Sequence, residues 1–194
     1  MNIYDFDDTI YDGDTNRDII LYGFKKHPFL VIKSLKRAKA LEREYKKGMV
    51  EFERVKETML SFIFKIKNYP KFINDFVDSH MKKIKPWYIS RRSVNDIIIS
   101  ASYELWVSQF CKRLGIKYVI ATKTDGEGKI IGKNCKGPEK LRRLANVIPN
   151  AVIASAYSDS SCDIPILDAA KTSYVVEGDK LITYTKGYKF KNNN

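Results

Sequence analysis

Short runs of apolar and β-branched residues recur along the chain and have the length and composition of buried strands. They cover residues 2–6, 95–100, 117–122, 150–155 and 172–177. Apolar residues with helical spacing lie between the later runs, at residues 103–114, 138–147 and 164–170. Strands that alternate with helices form βαβ units. The pattern therefore predicts an α/β fold, a three-layer sandwich in which a parallel sheet is covered by helices on both faces.

The stretch between the first two predicted strands has a helical pattern throughout. Its apolar positions, such as Val55 and Met59, recur near every 3.6 residues. The stretch is too long for a simple crossover connection and predicts three or four helices. We therefore expect an all-helical cap domain at residues 15–85, inserted into a core domain that is made of residues 1–14 and 86–194.

Two shorter segments have turn-forming or polar compositions. Residues 124–132 contain several glycines and predict a small hairpin or turn after the third strand. Residues from 186 onward are rich in lysine and asparagine, and they predict a frayed tail.

The sequence shows neither the pattern of a signal peptide nor an apolar run of membrane-spanning length. The three cysteines, Cys111, Cys135 and Cys162, are far apart and lack the spacing of metal ligands. A sparse, odd number of cysteines is typical of reduced thiols. These features predict a cytoplasmic protein.

Positive charge is concentrated in the predicted helical insertion. The chain has a formal net charge of +12, and residues 13–86 contain 18 Lys/Arg against 9 Asp/Glu. A basic surface raises the local concentration of anions, which include phosphate esters, nucleic acids and acidic lipids. Charge alone does not choose among these partners, and a solvated lysine-rich helical surface is a further interpretation.

Polar and acidic side chains follow the predicted strands at the points where the strands end. Asp5 and Asp7 follow the first strand, Ser100 ends the second, and Asp159 and Asp163 follow the fourth. Ligands of open parallel sheets bind outside the carboxyl ends of the strands. We therefore expect these side chains to meet at one edge of the sheet, together with a lysine from the helix that precedes the fourth strand.

This set of residue types has a chemical logic. Crowded carboxylates repel one another and favour a hard divalent cation, and Mg²⁺ is held by one or two carboxylates plus substrate phosphate. A carboxylate can attack phosphorus and form an acyl phosphate, while a second acid protonates the leaving oxygen and later activates water. Lysine and serine can hold the phosphoryl oxygens. The site therefore predicts magnesium-dependent phosphoryl chemistry.

The motifs that these residues form resemble those of the haloacid dehalogenase superfamily, in the branch related to phosphoserine phosphatase. The first motif of that family, D-x-D-x-T, matches D-F-D-D-T at residues 5–9. Ser100 matches its strand-terminal hydroxyl, and Asp159 with Asp163 matches its D-x-x-x-D pair. The resemblance extends over essentially the whole chain and implies a Rossmann-like core with a helical cap after the first strand.

The resemblance also implies roles for the individual residues. Asp5 would be the nucleophile and Asp7 the general acid and base. Mg²⁺ would be held by the carboxylate of Asp5, the backbone carbonyl of Asp7 and Asp159, with Asp163 supporting the site. Ser100 and the neighbouring Ala101 would bind phosphate. An acid two residues after the nucleophile favours hydrolysis of a phosphate monoester.

Three assignments allow more than one interpretation. Lys136 and Lys140 both fit the phosphate-binding lysine of the family, and we favour Lys140. Asp14 either contacts the substrate or caps the following helix. Ser102 is more consistent with a helix N-cap than with a role beside Ser100.

The expected substrate is a small phosphorylated metabolite. Phosphoserine phosphatases use a cap arginine to hold the serine carboxylate, and Met59 stands near that place here, so we expect a different monoester. One alternative is a lipid-phosphate phosphatase whose basic, aromatic segment at residues 25–47 contacts an anionic membrane surface. A non-catalytic nucleic-acid-binding protein is the other, but a cluster of acids would repel a phosphate backbone, so we expect no specific nucleic-acid partner.

Overall fold

A computed structural model of the chain describes residues 1–190. Its six strands form one sheet in the order β3-β2-β1-β4-β5-β6, and all neighbouring pairs are parallel except β5 and β6. The strands are β1 (Asn2–Tyr4), β2 (Ile97–Tyr103), β3 (Tyr118–Thr122), β4 (Ser155–Ser158), β5 (Thr172–Glu177) and β6 (Lys180–Thr183).

Within residues 1–190, eight α-helices connect and cover these strands. They are α1 (Thr15–Lys26), α2 (Pro28–Tyr45), α3 (Phe52–Leu60), α4 (Tyr69–His80), α5 (Pro86–Ile89), α6 (Glu104–Leu114), α7 (Pro138–Val147) and α8 (Ile164–Ala169). Short 3₁₀ turns follow α3 and α4 and precede α8. The predicted three-layer α/β sandwich with a Rossmann-like sheet is confirmed.

The central strands are apolar on both faces because helices cover both sides of the sheet. Ile97 and Ile99 of β2 belong to one apolar cluster, which includes residues of α7 and α8. Ile98, between them, points to the other face and belongs to a larger cluster with α6 and the inserted helices. Successive residues of a strand face opposite sides of the sheet. A strand that is covered on both faces therefore needs a continuous apolar run.

The long segment between β1 and β2 contains α1 to α4, as the helical spacing predicts, followed by the short helix α5. These helices share the larger apolar cluster with the sheet, which contributes Ile98. In that cluster, Phe76 of α4 packs edge-to-face on Phe110 of α6, with ring centroids 6.0 Å apart. Gly23 of α1 allows a close approach, because a Cβ there would lie 2.4 Å from the ring of Phe62. The boundaries of cap and core as separate domains stay a prediction.

Two parts of the predicted sheet are wrong. The fourth strand was expected at residues 150–155, but it is Ser155–Ser158. Asn150 has a left-handed backbone, with φ of 59°, and begins an irregular approach in which Ile153 is buried outside the strand. The sheet is also mixed rather than wholly parallel, because a two-residue turn at Gly178 and Asp179 adds the antiparallel strand β6.

The hairpin predicted at residues 124–132 is confirmed by an antiparallel bridge between Thr124 and Ile130. The prediction of a frayed tail is wrong for residues 186–190. There the hydroxyl of Tyr188 donates a 2.8 Å hydrogen bond to Glu177, and Phe190 is buried in the smaller apolar cluster. The rest of the predicted tail, residues 191–194, lies outside the described residues.

Across residues 1–190, no helix combines the length and apolarity that a membrane span requires. The apolar side chains of the segment proposed to contact a membrane mostly face the protein. Val31 is fully buried, and Leu30 and Leu35 pack against the larger apolar cluster, whereas Phe29 is 86% exposed. Ile32 and Tyr45 of the same segment are also exposed, at 38% and 42%. The membrane alternative stays a prediction.

Candidate active site

The carboxyl ends of β1, β2 and β4 surround a small pocket of about 170 Å³. Side chains from four separate segments line it, as the topology of a parallel sheet requires. The residues predicted for the site that line this pocket are Asp5, Asp7, Asp14, Ala101, Lys136, Lys140, Asp159 and Asp163. Segments separated by as many as 158 positions are thus brought to one place.

Ser100 is the predicted site residue that does not line this pocket. It is fully buried, and its hydroxyl accepts a 3.0 Å hydrogen bond from the backbone N–H of Ser102. Ala101 and Ser102 form the corresponding part of the pocket wall. A phosphate-binding role of Ser100 stays a prediction.

Lys140 lies at the centre of the acidic residues. Its ammonium donates a 2.6 Å hydrogen bond to Oδ1 of Asp5 and another of 2.6 Å to Oδ2 of Asp163. Burial opposes the charge on Lys140, but the attraction of the two carboxylates outweighs it and raises the pKa of Lys140. Lys136, at the rim of the same pocket, is exposed. Of the two candidate lysines, Lys140 is therefore the one in contact with the acids.

The first turn of α7 explains how Lys140 reaches the site. Gly137 has a φ of 60°, a value that favours glycine, and turns the chain into the helix. Pro138 follows at the first helical turn, where its missing N–H leaves no intrahelical bond unmade. Lys140 then projects inward from the beginning of the helix.

The carboxylates near Lys140 are crowded. Burial raises the pKa of Asp5, the attraction of Lys140 lowers it, and repulsion from Asp163 and Asp159 raises it further, with an upward shift as the result. Burial also raises the pKa of Asp159 to about 6, although a 2.9 Å hydrogen bond from the hydroxyl of Thr9 partly offsets the shift. The site carries more buried negative charge than Lys140 neutralises.

A divalent cation would relieve this repulsion, and the donor atoms are those that Mg²⁺ prefers. Within residues 1–190, no three His, Cys, Asp or Glu side chains are placed as a shared ligand set. Mg²⁺ requires only one or two carboxylates, with water and substrate phosphate completing its octahedron. The oxygens of Asp5 and Asp159 fit that demand. Asp163 is engaged by Lys140 and by a 2.7 Å hydrogen bond from Ser158, which suits a supporting role.

Asp7 is held between two hydrogen-bond donors. The backbone N–H of Thr15 donates to Oδ1 and the hydroxyl of Ser102 donates to Oδ2, both at 2.6 Å. Burial and repulsion from Asp14 raise the pKa of Asp7 to about 6, while the hydrogen bonds partly offset the shift. A carboxyl group with this pKa can hold a proton or release it near neutral pH, which general acid and base catalysis requires.

Asp14 is the N-cap of α1, since its Oδ1 accepts hydrogen bonds from the backbone N–H groups of Asn16 at 2.7 Å and Arg17 at 3.1 Å. It also lines the pocket, so both interpretations of this residue stay open. The N-cap prediction for Ser102 is wrong. The residue before α6 is Tyr103, which makes no side-chain cap, and Ser102 instead orients Asp7.

Sequence reasoning missed Lys56 of α3. This lysine is 5% exposed, and its ammonium donates to the backbone oxygen of Ala101 at 2.6 Å and to Asn134 Oδ1 at 2.9 Å. Burial lowers the pKa of Lys56 to about 8, and the charges of Asp7 and Asp14 act in the opposite direction. Its position was a usable signal, because Lys56 lies on the buried face of the helix beside Val55 and Leu60.

Asn16 was also missed. Its amide nitrogen donates a 2.8 Å hydrogen bond to the hydroxyl of Ser102, and the residue lines the pocket. Its side-chain oxygen is buried and has no hydrogen-bond partner in the part of the chain that the structure describes. An asparagine just after a helix N-cap carries no pattern that would distinguish it from a surface residue.

Comparison with known proteins agrees with this fold and site. The sequence matches the family model of haloacid dehalogenase-like hydrolases over residues 3–168. The chain therefore belongs to the haloacid dehalogenase-like hydrolase family, as its motifs indicate. No curated protein matches the sequence.

Several solved structures share the fold at low sequence identity. A protein of unknown function from Bordetella pertussis Tohama I aligns with a TM-score of 0.71 and 18% identity over 90% of this chain and 88% of the other. A phosphoserine phosphohydrolase-like protein from Francisella tularensis gives a TM-score of 0.55 and 16% identity over 90% and 87%. A probable phosphoserine phosphatase from Vibrio cholerae gives 0.59 and 14% over 89% and 55%. These similarities support the fold class.

Proposed function

We propose that this protein is a magnesium-dependent phosphatase that hydrolyses phosphate monoesters through an aspartyl-phosphate on Asp5. One observation supports the proposal above all others, namely that Asp5 and Asp7, Lys140, and Asp159 come from three separate segments and line one small pocket. Membership in a hydrolase family and the fold shared with phosphoserine phosphatase-like proteins support it further.

In the first step, a carboxylate oxygen of Asp5 attacks phosphorus. The new bond joins that oxygen to phosphorus, and the bond between phosphorus and the ester oxygen breaks. Lys140 holds Oδ1 of Asp5 in place, which leaves Oδ2 for the attack. Protonated Asp7 gives its proton to the departing oxygen, so the leaving group departs as a neutral alcohol.

In the second step, water replaces the aspartyl group. Asp7, now ionised, takes a proton from water, and the resulting oxygen nucleophile attacks phosphorus. The bond between phosphorus and Asp5 breaks, inorganic phosphate forms, and Asp7 is protonated again. A pKa of about 6 suits both tasks, because neither protonation state of Asp7 is strongly disfavoured near neutral pH.

The need to balance negative charge explains why cationic groups surround Asp5 in this proposal. Phosphate brings negative charge to a site that already has excess carboxylate, so attack by Asp5 requires positive charge nearby. Mg²⁺ bound by Asp5, the backbone carbonyl of Asp7 and Asp159 would supply Lewis-acid stabilisation of the phosphoryl oxygens. Lys140 holds Asp5 and Asp163, and the backbone beside Ala101 offers an additional contact for phosphate.

The proposed substrate is a small phosphorylated metabolite other than phosphoserine. Met59, near the position of the cap arginine in phosphoserine phosphatases, packs against the larger apolar cluster. α3 has two cations, and neither is free beside the pocket. The ammonium of Lys56 is bound to Ala101 and Asn134, and the side chain of Arg54 is exposed and lies 4.0 Å from Glu57. We further propose a cytoplasmic location, which the three free thiols support.

The test is hydrolysis of 4-nitrophenyl phosphate by the wild type with Mg²⁺, by the wild type with EDTA, and by Asp5→Asn with Mg²⁺. We expect turnover in the first reaction and none above background in the other two. Asp75→Asn is the matched control, because Asp75 lies on the exposed surface of α4 and its loss removes the same charge. Activity that survives Asp5→Asn in pure protein would refute the proposed nucleophile.

A further inference from the structure

A larger groove adjoins the small phosphate pocket. It has a volume of about 810 Å³ and lies between the insertion and the first turn of α7. Lys136 and Cys162 line both spaces, so the two lie side by side. Ligand-binding clefts have volumes of about 300–1,000 Å³. The small pocket, at about 170 Å³, suits a phosphoryl group, and the groove is large enough for an organic leaving group.

One wall of the groove is aromatic. Tyr45 at the end of α2 and Phe52 at the start of α3 pack edge-to-face with ring centroids 5.7 Å apart. Each of them is nevertheless 42% exposed. Paired rings with an open face offer a flat apolar surface on which another ring can pack.

The charged side chains of the groove leave two lysines without ion-pair partners. Glu53 accepts a 3.1 Å hydrogen bond from the backbone N–H of Asn134, and Glu139 binds Arg142. Lys133 and Lys136 take part in no salt bridge within residues 1–190. Glu53 takes part in no salt bridge within residues 1–190 either, so the groove lining carries three cations (Lys133, Lys136 and Arg142) against two carboxylates (Glu53 and Glu139). The resulting net charge of +1 complements an anionic ligand.

We propose that this groove binds the leaving group of the substrate and that the substrate is a phosphate monoester of a planar ring carrying a second anionic group. The inference rests on the proposed phosphatase function. The phosphoryl group occupies the small pocket, the ring packs on Tyr45 and Phe52, and the second anion meets Lys133. The positive charge of the groove also disfavours esters whose leaving group is cationic.

Three substrates distinguish the contribution of the aromatic wall from that of Lys133. Phenyl phosphate has the ring alone, 4-carboxyphenyl phosphate has the ring and the anion, and 2-phosphoglycolate has the anion without a ring. The variants are Phe52→Ala and Lys133→Gln. Their matched controls are Phe29→Ala, which removes an exposed ring elsewhere on α2, and Lys117→Gln, which removes an exposed lysine beside β3. Thermal midpoints establish that each variant is folded.

We expect 4-carboxyphenyl phosphate to have the highest kcat/KM of the three. Phe52→Ala lowers kcat/KM for both ring substrates about tenfold and leaves 2-phosphoglycolate within about twofold of the wild type. Lys133→Gln lowers kcat/KM for 4-carboxyphenyl phosphate by about three- to fivefold and changes phenyl phosphate less than about twofold. Both control variants behave as the wild type. Equal effects of a groove variant on all three substrates would overturn the proposal.

Binding to the Asp5→Asn variant keeps this inference separate from the proposed function. We expect 4-carboxyphenyl phosphate to bind Asp5→Asn, in calorimetry with Mg²⁺, and to bind at least about threefold more weakly when Phe52→Ala or Lys133→Gln is added. If the wild type hydrolyses no ester but this pattern of binding holds, the phosphatase function is wrong and the groove assignment stands. If binding is absent or independent of both residues, the groove assignment is wrong.

Discussion

The ammonium of Lys140 lies 2.6 Å from Oδ1 of Asp5, although the two residues are 135 positions apart in the sequence. Both groups are nearly inaccessible to solvent, with side-chain exposures of 3% and 13%. Asp163 is bound to the same ammonium at 2.6 Å. This buried link joins the end of β1, the start of α7 and the segment after β4, so it positions the nucleophile and holds the walls of the site together.

Replacing Lys140 by methionine tests this link. Lys140→Met leaves two buried carboxylates without their cation, and we expect the free energy of unfolding to fall by about 3–5 kcal/mol at pH 7. Phosphatase activity falls at least about a hundredfold, because Asp5 loses its orienting partner. Urea unfolding and steady-state kinetics measure the two effects.

Lys136→Met is the matched control for that substitution. Lys136 is exposed, so its loss changes the free energy of unfolding by less than about 0.5 kcal/mol. A larger loss of stability in Lys136→Met than in Lys140→Met would contradict the assignment of Lys140 as the buried cation.

The buried carboxylate of Asp7 destabilises the folded protein at neutral pH. Burial raises its folded-state pKa from 3.8 to about 6, so the native state binds more protons than the unfolded state between these values. Stability therefore falls as pH rises through this window. We expect Asp7→Asn to unfold with a free energy about 2–3 kcal/mol higher than the wild type at pH 7 in EDTA.

The pH dependence of this difference in stability tests whether the pKa of Asp7 is raised in the folded protein. We expect the difference in the free energy of unfolding between Asp7→Asn and the wild type to be small at pH 4, to grow between pH 4 and 6, and to be constant above pH 6. Urea unfolding at a series of pH values measures it. Asp75→Asn, which removes the same charge from the exposed surface of α4, is the matched control. An advantage of Asp7→Asn that is independent of pH would contradict the raised pKa.

The fold could be predicted in large part because helices and strands have different apolar periods. The helices α6 and α7 and the inserted bundle follow from that signal, with Gly115 and Pro138 marking two of the ends. β4 was misplaced, because the apolar run that ends near Ile153 is buried in the approach to the strand. The strand itself, Ser155–Ser158, begins and ends with serine and so lacks an apolar signal.

The candidate site was predictable where motif and topology coincide. Asp5, Asp7 and Asp159 follow strands, and parallel strands bring their carboxyl ends to one edge. Ser102 and Lys56 were misjudged, since their roles depend on which side chains lie opposite them in space. The apolar spacing of α3 places Lys56 on the buried face of the helix, but only the packing of α3 against the loop at Asn134 shows which groups its ammonium binds.

Mg²⁺ binding can be measured without turnover. Neutralising the repulsion between Asp5 and Asp159 stabilises the native state, so millimolar Mg²⁺ raises the thermal midpoint of the wild type by a few degrees. Asp159→Asn removes one ligand and the repulsion between Asp5 and Asp159, and we expect its midpoint to be insensitive to Mg²⁺. Asp75→Asn, which removes the same charge far from the pocket, retains the increase. An undiminished Mg²⁺ response in Asp159→Asn would contradict the proposed ligand set.

The covalent intermediate on Asp5 is the central claim, and acid quenching of the enzyme during turnover of a ³²P-labelled aryl phosphate tests it most directly. We predict label on the wild type that hydroxylamine removes, as expected for an acyl phosphate, and that maps to the peptide containing Asp5. Asp7→Asn retains more label, because an aryl oxide leaves without a general acid whereas water is no longer activated. Asp5→Asn carries none. Label that persists in Asp5→Asn, or that maps to another residue, would contradict the account.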